Sequence, residues 1–410
     1  MIIITTKTRL WLLCLALVAC THEQEPPAFE PPPVQALGLR ESTPIVTQPC
    51  IAPAEQPTHL LVTSTDFSTG AVGLVELATR EVHADLALAS TDAVPVAWGE
   101  RALVINRFGN DWIDELDPGH ALSLVHEFPI QPASLDVSAN PQALVFDPSG
   151  RAWVSLYGAA ELQVWRVSEP SEPPELEPLL GFDLREFADA DGVPELGTMV
   201  ACGELAFVVA ERIDREAWVP ADDTQLIPIT TTPGQEALFD FDAAHPGADA
   251  IHLLGTGFGA WRLDPGDPSG RTILVLNSGL ERIDLAAASS EWLVPASVFE
   301  QAGFTRLHLG GFDLDAQGQP WIAAATPDFT EYRIYRIDLS GEPKLIEQVA
   351  GLHSVTGALE IVGDELWFAD TTLGSSGLRV FEIAESASEL AFSPLPVGLP
   401  PLGLAPLRLD

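Results

Sequence analysis

The sequence has few positive charges and almost no lysine. Its 410 residues contain 20 Lys and Arg against 59 Asp and Glu, and the two lysines are Lys7 and Lys344. Neutralising nucleic-acid phosphates requires clustered basic side chains, and the sequence contains no such cluster. The formal charge of −39 would be repelled by anionic lipid head groups. The composition therefore argues against nucleic acid as a partner and predicts a strongly solvated surface.

The common catalytic motifs are also missing. The chain has no G-x-S-x-G, no C-x-x-C and no Gly-rich phosphate-binding loop, and its His residues show no H-x-H or H-E-x-x-H spacing. Hydrolase, redox and nucleotide chemistry thus lack their usual sequence markers. An enzyme whose site is assembled from dispersed residues stays compatible with this absence.

Long helical periodicity is absent as well, and short β-type runs take its place from residue 58 onward. These runs alternate with turn signals, and the 35 Pro and 32 Gly are spread along the chain. Hydrophobic residues make up 46% of the sequence, enough for a packed core rather than a disordered chain. The pattern predicts an all-β fold.

The first 19 residues are typical of an export signal. Lys7 and Arg9 precede an apolar stretch that is too short to span a bilayer. The stretch ends in Leu-Val-Ala-Cys, which resembles the bacterial lipobox, so we predict that Cys20 is lipidated and becomes the N-terminus. Thr21 after this Cys favours the outer membrane under the usual sorting rule. We therefore expect a lipid-anchored protein of the cell envelope, on either side of the outer membrane.

Residues 20–57 are predicted to be a disordered, Pro-rich tether. They contain Pro-Pro and Pro-Pro-Pro without sustained periodicity, which favours an extended, semi-rigid spacer. Outside the cytoplasm, Cys50 and Cys202 remain as one pair once Cys20 is acylated. The sequence leaves two alternatives open for this pair, a disulfide that fixes the tether to the domain or two buried free thiols.

Residues 58–410 repeat one pattern with a period of roughly 40–50 residues. Copies begin near residues 94, 140, 196, 256, 308 and 353, and Trp153, Trp321 and Trp367 occupy the same strand position. About four short strands per copy is typical of a β-propeller. We predict about seven blades in one domain over 58–410.

The two ends of this domain are predicted to share a blade. Residues 59–86 contain a second, third and fourth strand but no first, whereas the chain ends in an unmatched apolar stretch at 402–409. We expect that stretch to supply the missing innermost strand, because ring closure removes exposed strand edges. Pro406 lies inside it and weakens the predicted register.

The segment ALVINRFGNDWIDELDP at 102–118 resembles the YVTN-type repeat of bacterial surface-layer and lactonase-like propellers. Residues 152–167 and 272–286 are similar but degenerate. The resemblance implies a propeller fold and says little about activity, because this fold serves enzymes, ligand binders and scaffolds alike.

In such a blade, the loop that enters the innermost strand and the loop between the second and third strands lie on one face, around the channel mouth. Polar side chains in these loops are the candidate ligand-binding residues of the rim. They are Asn106, Arg107, Asn140, Gln142, Tyr157, Glu195, Arg212, His308, His353 and Asp370. Asp92, Glu211, Asn277 and Asp328 occupy equivalent loops. The alternative is that these residues only form turns.

The sequence also contains two weaker candidates for a metal-binding site. His308 and His353 open adjacent blades and, with Glu195, offer three ligands for a transition metal. Asp189 and Asp191 begin a D-x-D-G segment like a calcium loop, although the full twelve-residue pattern is missing. No cofactor is predicted otherwise.

Two functional hypotheses remain. The first is a non-catalytic envelope lipoprotein that binds a protein or a glycan, and the missing motifs and degenerate repeats favour it. The second is a lactonase-like or quinoprotein-like enzyme at the channel rim. The enzyme requires a convergent set of acids and bases with perturbed pKa values at the channel mouth.

Overall fold

Seven antiparallel sheets form the blades of a seven-bladed β-propeller. The computed structural model describes residues 31–41, 46, 49–50, 56–132, 138–167, 176–215, 219–220, 223–242, 247–256 and 259–409. The predicted signal peptide at 1–19 and Cys20, the predicted lipidation site, lie outside the described residues. The face on which the innermost strands begin is called the upper face below.

Within each blade the strands run from the channel outward. In blade 1 they are Pro401–Leu407, His59–Thr65, Gly70–Glu76 and Val82–Ala89. In blade 2 they are Ala93–Trp98, Arg101–Asn106, Trp112–Asp117 and Ser123–Pro129. In blade 3 they are Pro141–Phe146, Arg151–Leu156, Glu161–Val167 and Leu176–Asp183. In blade 4 they are Leu196–Cys202, Leu205–Ala210, Gln225–Thr230 and Ala237–Asp240.

The remaining three blades follow the same order. In blade 5 the strands are Trp261–Leu263, Thr272–Leu276, Leu280–Asp284 and Ser289–Val294. In blade 6 they are Leu309–Leu314, Pro320–Ala325, Tyr332–Asp338 and Lys344–Leu352. In blade 7 they are Leu359–Val362, Glu365–Asp370, Gly377–Ile383 and Ala387–Glu389. The innermost strands thus begin close to the repeat starts expected from the sequence.

Short elements complete the described part of the chain. A strand at Ile251–His252 pairs with the third strand of blade 4, and Ile213–Asp214 pairs with Val219–Pro220. One α-helix, Ala296–Gln301, lies between blades 5 and 6. The described 3₁₀ helices are Pro118–His120, Arg185–Phe187 and Arg306–His308.

The predicted ring closure is confirmed. Pro401–Leu407 pairs antiparallel with the strand that begins at His59, and Leu404 lies opposite Val62. Pro406 faces Leu60 without a register shift. An innermost strand tolerates proline because one of its edges faces the channel and has no ladder to complete. The apolar side chains of this strand fill the core on both sides of blade 1.

Tryptophans in the second strands are tied to the preceding turns in two of the three matched blades. The indole Nε1 of Trp153 donates to Asp147 at 3.0 Å, and that of Trp321 donates to Asp315 at the same distance. Both aspartates also accept backbone N–H groups of their own turns. Blade 7 has Val-Gly-Asp-Glu in place of this turn, and among the described residues the Trp367 indole nitrogen has no hydrogen-bond partner.

The predicted disordered tether requires a correction. Val34–Gln35 adds in parallel to the outermost strand of blade 3, and Gly38–Glu41 adds in parallel to that of blade 4. Val46 and Cys50 are buried in the core between blades 4 and 5. The described residues from Pro31 onward therefore belong to one compact unit, which begins before residue 58. The outermost strands offered unpaired backbone groups, and the N-terminal strands satisfy them.

Cys50 and Cys202 form a disulfide bond. Cys202 ends the innermost strand of blade 4, so the bond lies at the lower face, opposite the upper loops. The backbone N–H of Cys50 donates to the carbonyl of Gly270 at 2.6 Å. The N-terminal segment is thus fixed beneath blades 4 and 5 and leaves the upper mouth of the channel uncovered at this point.

Candidate functional site

A group of titratable side chains gathers on the upper face between blades 3, 4 and 6. Tyr157 follows the second strand of blade 3. Glu195 enters the innermost strand of blade 4, and Glu211 follows the second strand of the same blade. Arg306 belongs to the loop that enters blade 6, and its Nη2 lies 3.3 Å from Oε2 of Glu211. Because blades 4 and 6 are not neighbours, this contact passes over blade 5 on the channel side.

Glu195 forms the buried floor of this group. Its side chain is fully buried, and it accepts a hydrogen bond from the backbone of Ile213 at 2.9 Å and another from Nε of Arg215 at 2.6 Å. Arg215 in turn donates to the carbonyl of Tyr157 at 2.9 Å. Burial raises the pKa of Glu195 to about 7, although both hydrogen bonds oppose the shift. Glu195 therefore gains or loses its proton near neutral pH.

Glu211 and Tyr157 are the titratable groups above this floor. Burial raises the pKa of Glu211, and the Arg306 guanidinium opposes that shift. Burial also raises the pKa of the Tyr157 hydroxyl, and the charges of Glu211 and Glu195 raise it further. Tyr157 consequently stays a neutral hydrogen-bond donor and acceptor at physiological pH. We name Tyr157, Glu195, Glu211, Arg215 and Arg306 the mouth cluster.

The mouth cluster combines guanidinium, carboxyl and phenol groups that can contact one small ligand. Arg306 is 28% exposed in its side chain and Glu211 is 10% exposed, so a ligand at the mouth can reach both. A guanidinium suits a carboxylate, and a carboxyl group together with a phenol suits hydroxyl groups. Sequence reasoning identified Tyr157, Glu195 and Glu211 from their loops. It missed Arg215 and Arg306, although Arg306 lies only two residues before the selected His308.

The other predicted rim residues do not join this cluster. Arg107 pairs with Asp92 at 2.6 Å and donates to Gln142 at 2.8 Å. Gln142 in turn donates to Asn140 at 3.1 Å. These four residues form a second polar group, between blades 2 and 3. Its charges and amides are engaged with one another, so it offers less to a ligand than the mouth cluster.

Two of the predicted rim residues are buried inside their blades. Asn106 accepts from the backbone of Ser90 at 2.7 Å and donates to Asp114 at 2.8 Å. Burial raises the pKa of Asp114 to about 6, and hydrogen bonds from Trp112 and Asn106 oppose this. Asp370 accepts from Nε of Arg379 at 3.0 Å and is fully buried. Both hold loops in place and do not face a ligand.

Arg212 and His353 are also held by local contacts. Arg212 forms an ion pair with Asp223. The backbone of His353 donates to Asp370 at 2.9 Å, which ties the entry loop of blade 7 to its second strand. Asn277 is buried and donates to Glu281 at 2.6 Å, whereas Asp328 accepts from Thr326 at 2.7 Å. These are the turn-forming roles that the sequence left as the alternative.

The His308 ring is engaged by its own loop. Its Nδ1 accepts from the backbone of Thr305 at 2.9 Å, which places the proton on Nε2, and Nε2 faces the carbonyl of Pro327 at 3.4 Å. The ring stacks on Phe329 with centroids 4.4 Å apart. Both nitrogens are thereby directed at protein atoms, and His308 acts as packing beneath the Phe329 loop.

No group of three or more His, Cys, Asp and Glu is placed to hold a metal ion among the described residues. Asp189 accepts the backbone N–H of Asp191 at 3.1 Å, and Asp191 accepts that of Val193 at 2.8 Å. Arg215 also lies 3.7 Å from Asp191. These contacts are typical of an acidic surface turn beside a cation, and calcium binding there stays a prediction.

The channel itself is lined by a charged triad. Arg262 of blade 5 contacts Asp313 of blade 6 at 2.5 Å and Glu360 of blade 7 at 2.8 Å. Burial raises the pKa of Glu360, although the attraction of Arg262 opposes the shift. The triad joins three innermost strands and belongs to the wall of the ring.

A cavity of about 800 Å³ lies away from the mouth, between blades 3 and 4 near the N-terminal strands. Its wall includes Arg151, which pairs with Asp147 at 2.8 Å and with Glu236 at 2.6 Å. These pairs fix the arginine in the wall. Burial acts to raise the pKa of Asp147, but hydrogen bonds from Ser149 and Trp153 and the charge of Arg151 hold it below its ordinary value. The mouth cluster is the better candidate site.

The fold and the site together define the class of the protein, a seven-bladed β-propeller with a titratable cluster at the upper mouth. It resembles a solved protein of unknown function from Desulfotomaculum acetoxidans, with a TM-score of 0.53 and 11% identity over 86% of this chain and 100% of that one. It also resembles the periplasmic gluconolactonase of Pseudomonas aeruginosa, with a TM-score of 0.53 and 14% identity over 85% and 98% of the two chains. At such identities the likeness shows the fold alone.

No family model matches the sequence, so its YVTN-type character stays a prediction. No curated protein matches the sequence either. Within the described residues, no helix has the length and apolar character needed to cross a membrane.

Proposed function

We propose that this chain is an exported, lipid-anchored β-propeller that acts as a binding module at the cell envelope, with its ligand site at the mouth cluster. The observation that carries the proposal is the meeting of Tyr157, Glu211 and Arg306 from three separate blades. Their donors and acceptors suit a small ligand that carries both hydroxyl and carboxylate groups, as the sugar acids of glycans do.

Two features support the envelope location. The first 20 residues have the pattern of a lipoprotein signal, and the disulfide between Cys50 and Cys202 is typical of oxidising compartments. Replacing Cys20 by Ser should release the protein from the membrane fraction and abolish acyl labelling. Unchanged partitioning of this variant would contradict the lipid anchor.

Ligand binding is tested by calorimetric titration of the purified chain with glucuronate and gluconate, and with glucose as the neutral control. We expect the acids to bind and glucose to bind at least tenfold more weakly, because Arg306 recognises the carboxylate. Arg306→Ala and Glu211→Gln should each weaken acid binding at least tenfold. Arg333→Ala is the matched control, since Arg333 pairs with Glu331 and Glu347 on blade 6. Equal binding by the Arg306 and Arg333 variants would refute the site.

The second candidate function is hydrolysis of a sugar lactone at the same cluster. Burial raises the pKa of Glu211 above its ordinary value, and a carboxyl group shifted in this direction is better suited to exchange a proton in general acid–base catalysis. In this reaction water adds to the lactone carbonyl, the ring C–O bond breaks, and the product is a hydroxy acid. Glu211 is placed to exchange the proton, whereas Glu195 is buried and positions Arg215.

Lactone hydrolysis is measured by the acid released from glucono-δ-lactone above the uncatalysed rate. We expect Glu211→Gln to abolish the excess rate and Glu195→Gln to move its pH dependence near pH 7. A chain that binds gluconate without accelerating ring opening is a binding module only.

A further inference from the structure

Large apolar side chains project from the upper loops of four consecutive blades. In ring order these are blades 6, 7, 1 and 2, and Leu254, which is 50% exposed, projects likewise from the loop that enters blade 5. Phe67, Phe108 and Leu307 are 70%, 76% and 74% exposed. Together with their neighbours they form what we name the apolar arc: Phe67, Phe108, Leu307, Phe329, Val355 and Leu373. Exposed apolar groups that gather on one face of a soluble domain mark interaction surfaces.

Three phenylalanines of the apolar arc occupy a backbone conformation that disfavours them. Phe67, Phe108 and Phe329 have φ angles of 66°, 56° and 56°. A bulky side chain at positive φ is strained, and glycine or asparagine fits such a turn better. All three rings also remain largely exposed. The Phe329 ring stacks on His308 at 4.4 Å, but Phe67 and Phe108 give the fold little in return for the strain, which points to a use outside the chain.

Each of these phenylalanine loops contains a fixed carboxylate. Asp66 accepts hydrogen bonds from Ser68 and Thr69, and Asp328 accepts them from Thr326 and Thr330. These hydrogen bonds lower the pKa of both aspartates, which are ionised at neutral pH. In the third loop, Asp111 accepts from Ser138 and from two backbone N–H groups of the blade 3 entry loop. The apolar arc is thus interspersed with rigid negative charges.

We propose that the apolar arc docks a protein partner whose contact surface combines apolar pockets with Lys or Arg side chains. A second copy of this chain would bring identical carboxylates face to face on a molecule of formal charge −39. Insertion into a lipid surface would carry Asp66 and Asp328 into the head groups along with their phenylalanines. A basic, apolar protein surface satisfies the rings and the carboxylates together.

The test compares the full chain with the triple variant Phe67→Asn, Phe108→Asn, Phe329→Asn. The probes are a synthetic peptide of Trp, Leu and Arg, its counterpart with Glu in place of Arg, and phosphatidylcholine vesicles. Self-association is followed by sedimentation. Leu124→Asn with Val125→Asn is the matched control, because these exposed residues lie at the start of the outermost strand of blade 2, near the lower face.

We expect the Arg peptide to bind the native chain and to lose at least tenfold affinity in the triple variant. The control should stay within twofold, and added salt should weaken binding. The triple variant should keep or raise its melting midpoint. The proposal is overturned if the native chain does not bind the Arg peptide or binds the Glu peptide equally well. It is also overturned if the triple variant binds the Arg peptide normally or unfolds. Phenylalanine-dependent binding to vesicles, or dimerisation that depends on the same residues, would overturn it in favour of a membrane or of a second copy.

This docking surface is independent of the proposed sugar-acid site. The triple variant should still bind gluconate, and Arg306→Ala should still bind the Arg peptide. Loss of one activity without the other therefore separates failure of this proposal from failure of the proposed function.

Discussion

The two sides of the ring are held together by different means and present different surfaces. Blades 3, 4 and 5 carry the N-terminal segment, as added strands on the outer edges of blades 3 and 4 and as a disulfide below. Blades 6, 7, 1 and 2 have no such addition among the described residues and depend on the C-terminal strand for closure. The reinforced side supplies Tyr157, Glu195, Glu211 and Arg215 of the mouth cluster, Arg306 comes from the entry loop of blade 6, and the other side holds the apolar arc.

We infer that the two sides of the ring serve different purposes. A cluster of buried charges requires a rigid frame, because small displacements leave carboxylates without partners. Exposed apolar loops do not require a rigid frame in the blades beneath them. The additional N-terminal strands lie on the two blades that supply most of the mouth cluster, whereas the triad of Arg262, Asp313 and Glu360 is held by innermost strands alone.

The largest effect is expected from removing residues 399–410. The deletion leaves the strand His59–Thr65 without its partner and opens the ring between blades 7 and 1. Because the core on both sides of blade 1 loses its inner wall, we expect loss of cooperative unfolding or aggregation. Thermal unfolding followed by circular dichroism measures this. A soluble truncated protein with an unchanged midpoint would show that closure does not depend on this strand.

A smaller effect is expected from Cys50→Ser on the reinforced side. Loss of the disulfide frees the N-terminal segment from the lower face and should lower the free energy of unfolding by about 2–4 kcal/mol. Denaturant unfolding measures the change, with the reduced native protein as a second reference. The apolar arc should keep its peptide binding in this variant. A variant as stable as the native chain would indicate that the added strands hold the segment alone.

The mouth cluster makes stability depend on pH. The pKa of Glu195 is raised from its ordinary value of 4.5 to about 7, so the folded state holds the proton more tightly than the unfolded state. Its contribution to stability is full below pH 4.5 and is lost as the pH rises to about 7. Relative to the native chain, Glu195→Gln should be about 1–3 kcal/mol less affected by a change from pH 5 to pH 8.

Unfolding at the two pH values with Glu382→Gln as an exposed control measures this difference. Identical pH dependence in the native chain and in Glu195→Gln would show that Glu195 titrates normally.

The smallest effect is expected on the apolar arc. Phe67→Asn removes a bulky side chain from a positive φ and should raise stability slightly, by up to about 1 kcal/mol. Leu88→Asn serves as the control, because Leu88 is exposed in a regular strand of the same blade. Thermal midpoints of both variants measure the difference. A clear loss of stability in Phe67→Asn would mean that this ring supports the fold.

Much of the fold could be predicted from the sequence. The repeated turns and strands predict where the innermost strands begin to within a few residues, because the alternation of apolar and polar residues along a strand is a local signal. The unmatched C-terminal stretch predicts the pairing that closes the ring. The N-terminal strands could not be predicted in this way. They are short and flanked by prolines, and they form only because blades 3 and 4 offer free edges.

The site was predictable only in part. Tyr157, Glu195 and Glu211 lie in loops whose position follows from the repeat. Arg306 reaches Glu211 from the entry loop of blade 6, and this approach across the upper face depends on packing rather than on pattern. His308 was selected for its residue type, but its ring nitrogens are taken up by Thr305 and Pro327.

The added strand at Val34 limits the distance between the propeller and a membrane anchor at Cys20. Under the proposed attachment at Cys20, 13 residues lie between the anchor and Val34, the first paired residue, and a fully extended chain over that distance spans at most about 50 Å. A spacer that was free up to residue 57 would reach more than twice as far. If the proposed lipid anchor is present, incorporation of residues 34–41 into the blades would keep the propeller in a thin layer above the bilayer and raise its local concentration near other membrane-bound molecules.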